Sequence, residues 1–280
     1  MIDASKSGQV KLGDLTVNRI GFGAMRLTGD GIWGEPENHE EAIAVLKRAI
    51  ELGVNFIDTA DAYGPEVSEK LIREALHPYE GIVIATKGGL TRGGPGQWTP
   101  DGSPEHLRKA LEASLNRLSV ETIDIYQLHS PDPNVSYEDS LQALISLKDE
   151  GKIKHIGISN VSLDQLKMAL SMTEIVSVQN RYNIVEATDS EDVLDYCTEN
   201  EIAFIPYFPI GGNGADMSVL KDVALKHEVD VRQIALAWLL VRSPIMLPIP
   251  GTSSVKHLED NIAAADIKLD EDDLHKLNNL

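Results

Sequence analysis

Residues 123–159 read IDIYQLHSPDPNVSYEDSLQALISLKDEGKIKHIGIS, and the pattern changes twice along them. Ile123 to Leu128 is a short apolar run, Tyr137 to Glu150 a longer stretch of helical period, and Ile153 to Ser159 a second apolar run. That is a strand, a helix and the next strand, the unit from which parallel sheets are built. Working outward at intervals of roughly 25 to 35 residues, as repeated units of this kind require, the other strand candidates are Arg19 to Gly23, Asn55 to Asp58, Ile82 to Thr86, Val176 to Gln179, Ala203 to Tyr207 and Met246 to Ile249. Eight strands close a barrel, so the expected class is α/β, a (β/α)8 barrel.

The helices expected between the strands are Glu40 to Glu51, Val67 to Leu76, Pro104 to Arg117, Tyr137 to Glu150, Leu163 to Ser171 and Ser190 to Glu199. Ser103-Pro104-Glu105 supplies a cap, a first-turn proline and an acid, Ser162 to Gln165 has capping-box spacing, and Leu52-Gly53 reads as a helix stop. Val10 to Leu12 and Leu15 to Val17 flank Gly13-Asp14, a hairpin expected to close the barrel floor. Gly88 to Gly102 and Tyr207 to Asp216 read as long loops after strand ends, on the face where barrels build active sites. No composition shift divides the chain, so residues 1–280 are expected to form one domain; barrels of about 250 residues commonly do.

The 44 Asp and Glu against 25 Lys and Arg give a net charge of −19. Such a surface favours solubility, or suits a saline setting, and repels nucleic acid and anionic membranes. Cys197 is the single cysteine, which excludes an intrachain disulfide and a cysteine metal cluster and suits a buried structural thiol. Met1 to Val10 is polar and no long apolar run occurs, so a cytoplasmic location is expected.

The second strand candidate ends in Asp58-Thr59-Ala60-Asp61-Ala62-Tyr63-Gly64, the third in Ala85-Thr86-Lys87 and the fourth in Tyr126-Gln127-Leu128-His129. Reducing a carbonyl needs a proton on oxygen, and a phenol with pKa near 10 gives one reluctantly. An ammonium beside the phenol stabilises its anion, and a carboxylate keeps that ammonium charged and fixed. Asp58 and Lys87 would do this for Tyr63, with His129 orienting the substrate oxygen. Asp61, closer to Tyr63 in the chain, is assigned a plain loop role.

With these four positions in order, the chain resembles the aldo-keto reductases, and the likeness runs from about Val10 to the C-terminus. The resemblance implies a catalytic tetrad of Asp58, Tyr63, Lys87 and His129 and a nicotinamide cofactor, with NADP(H) favoured and NAD(H) allowed. Gly157-Ile158-Ser159-Asn160 and Val178-Gln179-Asn180 are similar to the family's carboxamide-binding segments, which implicates Ser159, Asn160 and Gln179. Tyr207 matches the aromatic that stacks on nicotinamide, ahead of Phe208, Pro209, Ile210 and Gly211. Pro248 to Ser254 resembles the adenosine-phosphate segment, which brings in Gly251, Thr252, Ser253, His257, Asp260 and Asn261. Well-known members carry Lys where Gly251 stands and Arg near His257; Lys256 and His257 are the cations left to meet a 2′-phosphate.

Gly23-Ala24-Met25-Arg26, Trp33-Gly34, Tyr207 to Gly212 and the Pro-Gly-Thr-Ser-Ser run are most similar to the family's bacterial pyridoxal-reducing branch. The resemblance adds Gly23, Ala24, Met25 and Asp58 to the cofactor site and implies an aromatic aldehyde as substrate, with Trp33 and Trp98 in the pocket wall. Two other readings stay open: a cofactor-sensing protein on the same fold, and a Schiff-base enzyme with Lys87 as nucleophile. No metal, nucleic acid or membrane is expected, and oligomeric state is not legible.

Overall fold

The computed structural model describes residues 2–184, 190–209 and 218–279. A first hairpin pairs Gln9–Leu12 with Leu15–Asn18 antiparallel across Gly13-Asp14. Gly13 has φ +65°, which glycine takes without a Cβ penalty, and a Cβ there would stand 2.3 Å from the His155 ring. Val10, Leu12 and Val17 are buried, and Asp14 accepts hydrogen bonds from His155 Nε2 at 2.6 Å and Lys154 Nζ at 3.1 Å. The hairpin thus closes the end of the barrel where the strands begin.

Seven strands follow as one parallel sheet in chain order: β1 (Phe22–Gly23), β2 (Phe56–Asp58), β3 (Val83–Gly88), β4 (Ile123–Leu128), β5 (Ile153–Ser159), β6 (Ser177–Arg181) and β7 (Ala203–Tyr207). Residues 246–249 complete the ring. Leu247 N–H donates to Phe204 O at 2.8 Å on one side, and Gly21 N–H donates to Pro248 O at 3.0 Å on the other. Pro248 and Pro250 lack an N–H, which explains why this eighth segment carries bridge contacts rather than a regular ladder. The fold is therefore the (β/α)8 barrel.

The helices are α1 (His39–Glu51), α2 (Val67–Leu76), α3 (Pro104–Leu118), α4 (Tyr137–Asp149), α5 (Leu163–Met172), α6 (Glu191–Glu199), α7 (Ser218–His227), α8 (Val231–Arg242), α9 (Val255–Ala263) and α10 (Glu271–Leu277). Ser103 caps α3 and Ser162 forms the expected capping box on α5. All six positions of β3 are buried, as a strand covered by helices outside and packed side chains within must be. Cys197 is buried, and burial pushes its thiol up to about 12, which fits an inert structural role. No helix among the described residues is long and apolar enough to cross a membrane.

One expected loop is corrected. Leu90–Gly94 and Gln97–Pro100 inside Gly88 to Gly102 pair antiparallel as a hairpin. Its glycines and proline mark the turn, with Gly96 at φ +70°, while Leu90, Thr91, Trp98 and Thr99 supply strand residues around it. The second expected loop, Tyr207 to Asp216, lies mostly outside the described residues, as do Ile210 and Gly211 of the expected cofactor site.

Candidate active site

Parallel strands deliver their last residues to one rim, and β2, β3 and β4 are neighbours in the sheet. Asp58 ends β2, Lys87 lies near the end of β3, and His129 follows β4, its N–H held by Gly88 O at 2.9 Å. Tyr63 stands on the turn between β2 and α2. The fully buried Lys87 Nζ donates to Asp58 Oδ1 at 2.7 Å, to Thr59 O at 2.8 Å and to Tyr63 Oη at 3.2 Å, which uses its three protons. Asp58 Oδ2 accepts from Gln179 Nε2 at 2.8 Å and Gln127 Nε2 at 3.1 Å. The carboxylate is therefore fixed from both oxygens.

Burial works against the Lys87 ammonium, but Asp58 and then Tyr63 more than offset it, so its pKa rises above the ordinary lysine value. Burial also raises the Tyr63 phenol, and the opposing pull of Lys87 does not cancel this; in the ground state Tyr63 keeps its proton. His129 is held well below its ordinary value by burial first, then by Lys87 and Arg92, and is neutral near pH 7. Its Nδ1 is buried without a hydrogen-bond partner among the described residues.

Trp98 comes from the hairpin after β3 and meets Tyr63 and His129 edge to face, with ring centroids 6.3 and 6.2 Å apart. Arg92 lies over Trp98 at 3.7 Å and faces Trp33 at 5.6 Å. Trp33 lines a second groove with Met25, Gly251, Thr252 and Ser253. The two tryptophans expected in the pocket wall are thus tied to one cation.

A groove of about 650 Å³ is open beside the tetrad. Gly23, Met25, Asp58, Tyr63 and Gln179 line it from the strand ends, Tyr207, Phe208 and Pro209 from the end of β7, and Gly251, Thr252, His257, Asp260 and Asn261 from the α9 side. Gly23 and Gly251 form a tight pair: a Cβ on Gly251 would stand 2.5 Å from Gly23 O, and one on Gly23 would stand 2.6 Å from Ile249 O. A side chain at Gly251 would meet the Gly23 backbone unless the two segments moved apart.

Some expected residues are engaged differently. Ala24 is fully buried and off the groove. Gln179 spends its amide N–H on Asp58, and Asn160 Nδ2 donates to His129 O at 2.9 Å and to Ser159 Oγ at 3.1 Å. Tyr207 Oη donates to Asn160 Oδ1 at 2.7 Å, which anchors the ring at the groove edge. Lys256 is paired with Asp260 at 3.0 Å, whereas Arg26 and Arg232, not singled out in the sequence, also line the groove as cations. Asp61, expected as a plain loop residue, lies on the turn after β2, with its Oδ1 buried and unbonded among the described residues. Gln127 was missed too; a polar amide near the end of the strand, two residues ahead of His129, is the signal that could have found it.

The aldo/keto reductase family model matches residues 19–280. The chain belongs to the aldo/keto reductase family. It is similar to an uncharacterised oxidoreductase of Schizosaccharomyces pombe, 52% identical over 99% of this chain and 90% of that protein. Pyridoxine 4-dehydrogenase of Escherichia coli is 44% identical over 98% of each chain. Among solved structures, an aldo-keto reductase from Klebsiella pneumoniae in complex with NADPH superposes with a TM-score of 0.83 at 26% identity, over 97% of this chain and 94% of that one. As an aldo-keto reductase the chain is an oxidoreductase acting on carbonyl and alcohol groups.

Proposed function

We propose that this aldo-keto reductase reduces an aldehyde or ketone to the alcohol with NADPH, using Tyr63 as general acid, and that its substrate is an aromatic aldehyde of the pyridoxal kind. The observation that carries the reading is the sharing of Lys87 Nζ among Asp58, Thr59 and Tyr63 beside an open groove. The residues suit a dinucleotide: the Gly23–Gly251 approach leaves bare backbone where a side chain would fill the space, and Arg26 and Arg232 offer positive charge. When bound, the nicotinamide supplies the hydride. NADPH is further supported by the Klebsiella pneumoniae relative, and a pyridoxal-type substrate by the pyridoxine 4-dehydrogenase relative.

The chain's own part is to place a proton. Neutral His129 hydrogen-bonds the substrate oxygen and holds it against Tyr63 Oη. Tyr63 gives that oxygen its proton as negative charge builds there, and the Lys87 ammonium, fixed by Asp58, stabilises the phenolate left behind. Burial keeps the proton on Tyr63 until that moment, so acidity is released only as the substrate oxygen becomes basic. Trp98, edge to face with Tyr63 and His129, walls the substrate side, and Trp33 lies across Arg92 from it. Lys87 as a Schiff-base nucleophile fits poorly, because it is a fully buried ammonium with all three protons engaged.

The test follows nicotinamide absorbance in wild-type protein with NADPH or NADH and an aldehyde panel that includes pyridoxal and benzaldehyde. Aldehyde-dependent oxidation is expected, faster with NADPH. Tyr63→Phe should lower kcat by about 100-fold or more while NADPH still binds. Turnover at wild-type rate in that variant would exclude Tyr63 as the acid; no oxidation by wild type, with tight NADPH binding, would favour the sensing reading.

A further inference from the structure

Arg92 belongs to neither the tetrad nor the groove, yet its surroundings are unusual for a half-buried cation. Its Nη1 donates to Ile32 O and Ala62 O, each at 2.9 Å, its Nη2 to Gly31 O at 3.0 Å, and its Nε to Gln97 O at 2.9 Å. Ile32, Ala62 and Gln97 immediately precede Trp33, Tyr63 and Trp98. One guanidinium therefore grips the main chain just before Tyr63 and Trp98 at the site, and just before Trp33, whose backbone bridges to Gly64 beside Tyr63. Its Cζ also lies over Trp98, 3.7 Å from the ring centroid, and 5.6 Å from that of Trp33.

Only the planar, five-donor fork of arginine can do both jobs at once, since an ammonium has three donors and no flat face to stack. No carboxylate takes part among the described residues; main-chain carbonyls and two ring faces satisfy the charge instead. A surface ion pair would have left the side chain free to exchange partners, whereas these contacts hold it to one position. The segments that carry Trp33 and Tyr63 are tied to each other as well, with Gly34 N–H donating to Gly64 O at 2.5 Å and Gly64 N–H to Ile32 O at 3.3 Å.

We propose that Arg92 is the positioning residue that sets substrate specificity, locking Trp33 and Trp98 into one aromatic wall beside Tyr63 and His129 so that the site selects flat aromatic carbonyl compounds over small aliphatic ones. This rests on the reductase reading above. A flat substrate gains from a rigid wall because the rings need no ordering on binding, while a short aliphatic aldehyde touches too little of the wall to benefit.

The experiment compares wild type, Arg92→Lys and Arg92→Met in NADPH oxidation with benzaldehyde and with propanal. NADPH binding is titrated by fluorescence as a check on the fold. In both variants the ratio of kcat/KM for benzaldehyde to that for propanal is expected to fall about tenfold or more, mainly through KM for benzaldehyde. Equal losses on both aldehydes, or an unchanged ratio, overturn the proposal. If Arg92→Met does not fold, Arg92→Lys carries the test alone.

Acrylamide quenching of tryptophan emission separates this proposal from the reading it rests on, because it needs no turnover. Stronger quenching in the variants supports the locked wall even where wild type reduces neither aldehyde, an outcome that would reject the reductase reading alone. Quenching identical to wild type overturns the wall.

Discussion

Asp58, the last residue of β2, and Asp61, three residues on in the turn, meet opposite fates. Asp58 gathers Lys87, Gln127 and Gln179, whereas Asp61 is half-buried overall, with its Oδ1 buried and unbonded among the described residues and only the Ala62 N–H supporting its carboxylate. Burial, and then the Glu69 carboxylate, push Asp61 up to about 8; Arg117 and Lys87 pull the other way without prevailing. Because an unfolded Asp titrates near pH 3.9, the folded chain keeps a proton between about pH 4 and 8 that the unfolded chain has lost. The stability this contributes is full below the unfolded value and drains away as pH rises through the folded one. Asp61→Asn, which mimics the protonated acid, should therefore gain stability relative to wild type as pH is raised from 5 to 9. Thermal melts at both pH values check this, and an equal difference at the two would contradict it. The sequence placed both carboxylates at or just after the strand end but could not tell them apart electrostatically, because Glu69 and Arg117 reach Asp61 only through folding.

Helices and strands were legible wherever their signals were local. The mainly apolar runs Ile123–Leu128, Ile153–Ser159 and Ala203–Tyr207 became strands with those bounds, since a strand covered on both faces buries nearly every position. The hairpin of Leu90–Gly94 and Gln97–Pro100 was read as loop because its turn residues outweigh its short strands. Helix α10 owes its place to a contact beyond local reach: buried Asp273 accepts from Lys226 Nζ and His227 Nε2 of α7, each at 2.7 Å. Burial opposes the Asp273 charge, but these donors prevail and bring its pKa down to about 2. That stability is present above the unfolded pKa near 3.9 and is lost as pH falls through the folded value. Asp273→Asn is expected to cost about 2 kcal/mol at pH 7, less than a fully buried pair because Lys226 is half exposed. The gap from wild type should narrow as pH is lowered from 5 toward 3, read by urea melts; a constant gap would assign the loss to packing.

At the scale of the molecule, a net charge of −19 strains the compact state by self-repulsion that surface ion pairs relieve little. Raising NaCl from about 0.02 to 0.5 M should therefore raise Tm by a few degrees as the repulsion is screened. A fall in Tm would mean that attractive pairs dominate. The amino-acid sequence by itself determined the barrel, its floor hairpin and the order of Asp58, Tyr63, Lys87 and His129 along consecutive units, because each βα unit folds on local periodicity and a parallel sheet brings successive strand ends to one rim. Tertiary structure alone decided which side chains meet there. Gln127 and Gln179 converge on Asp58, Gly251 is pressed against Gly23, and Arg92 reaches carbonyls near Trp33, Tyr63 and Trp98. No local pattern announces where a long side chain ends, since that distance is set by how strands and loops far apart in the chain pack together.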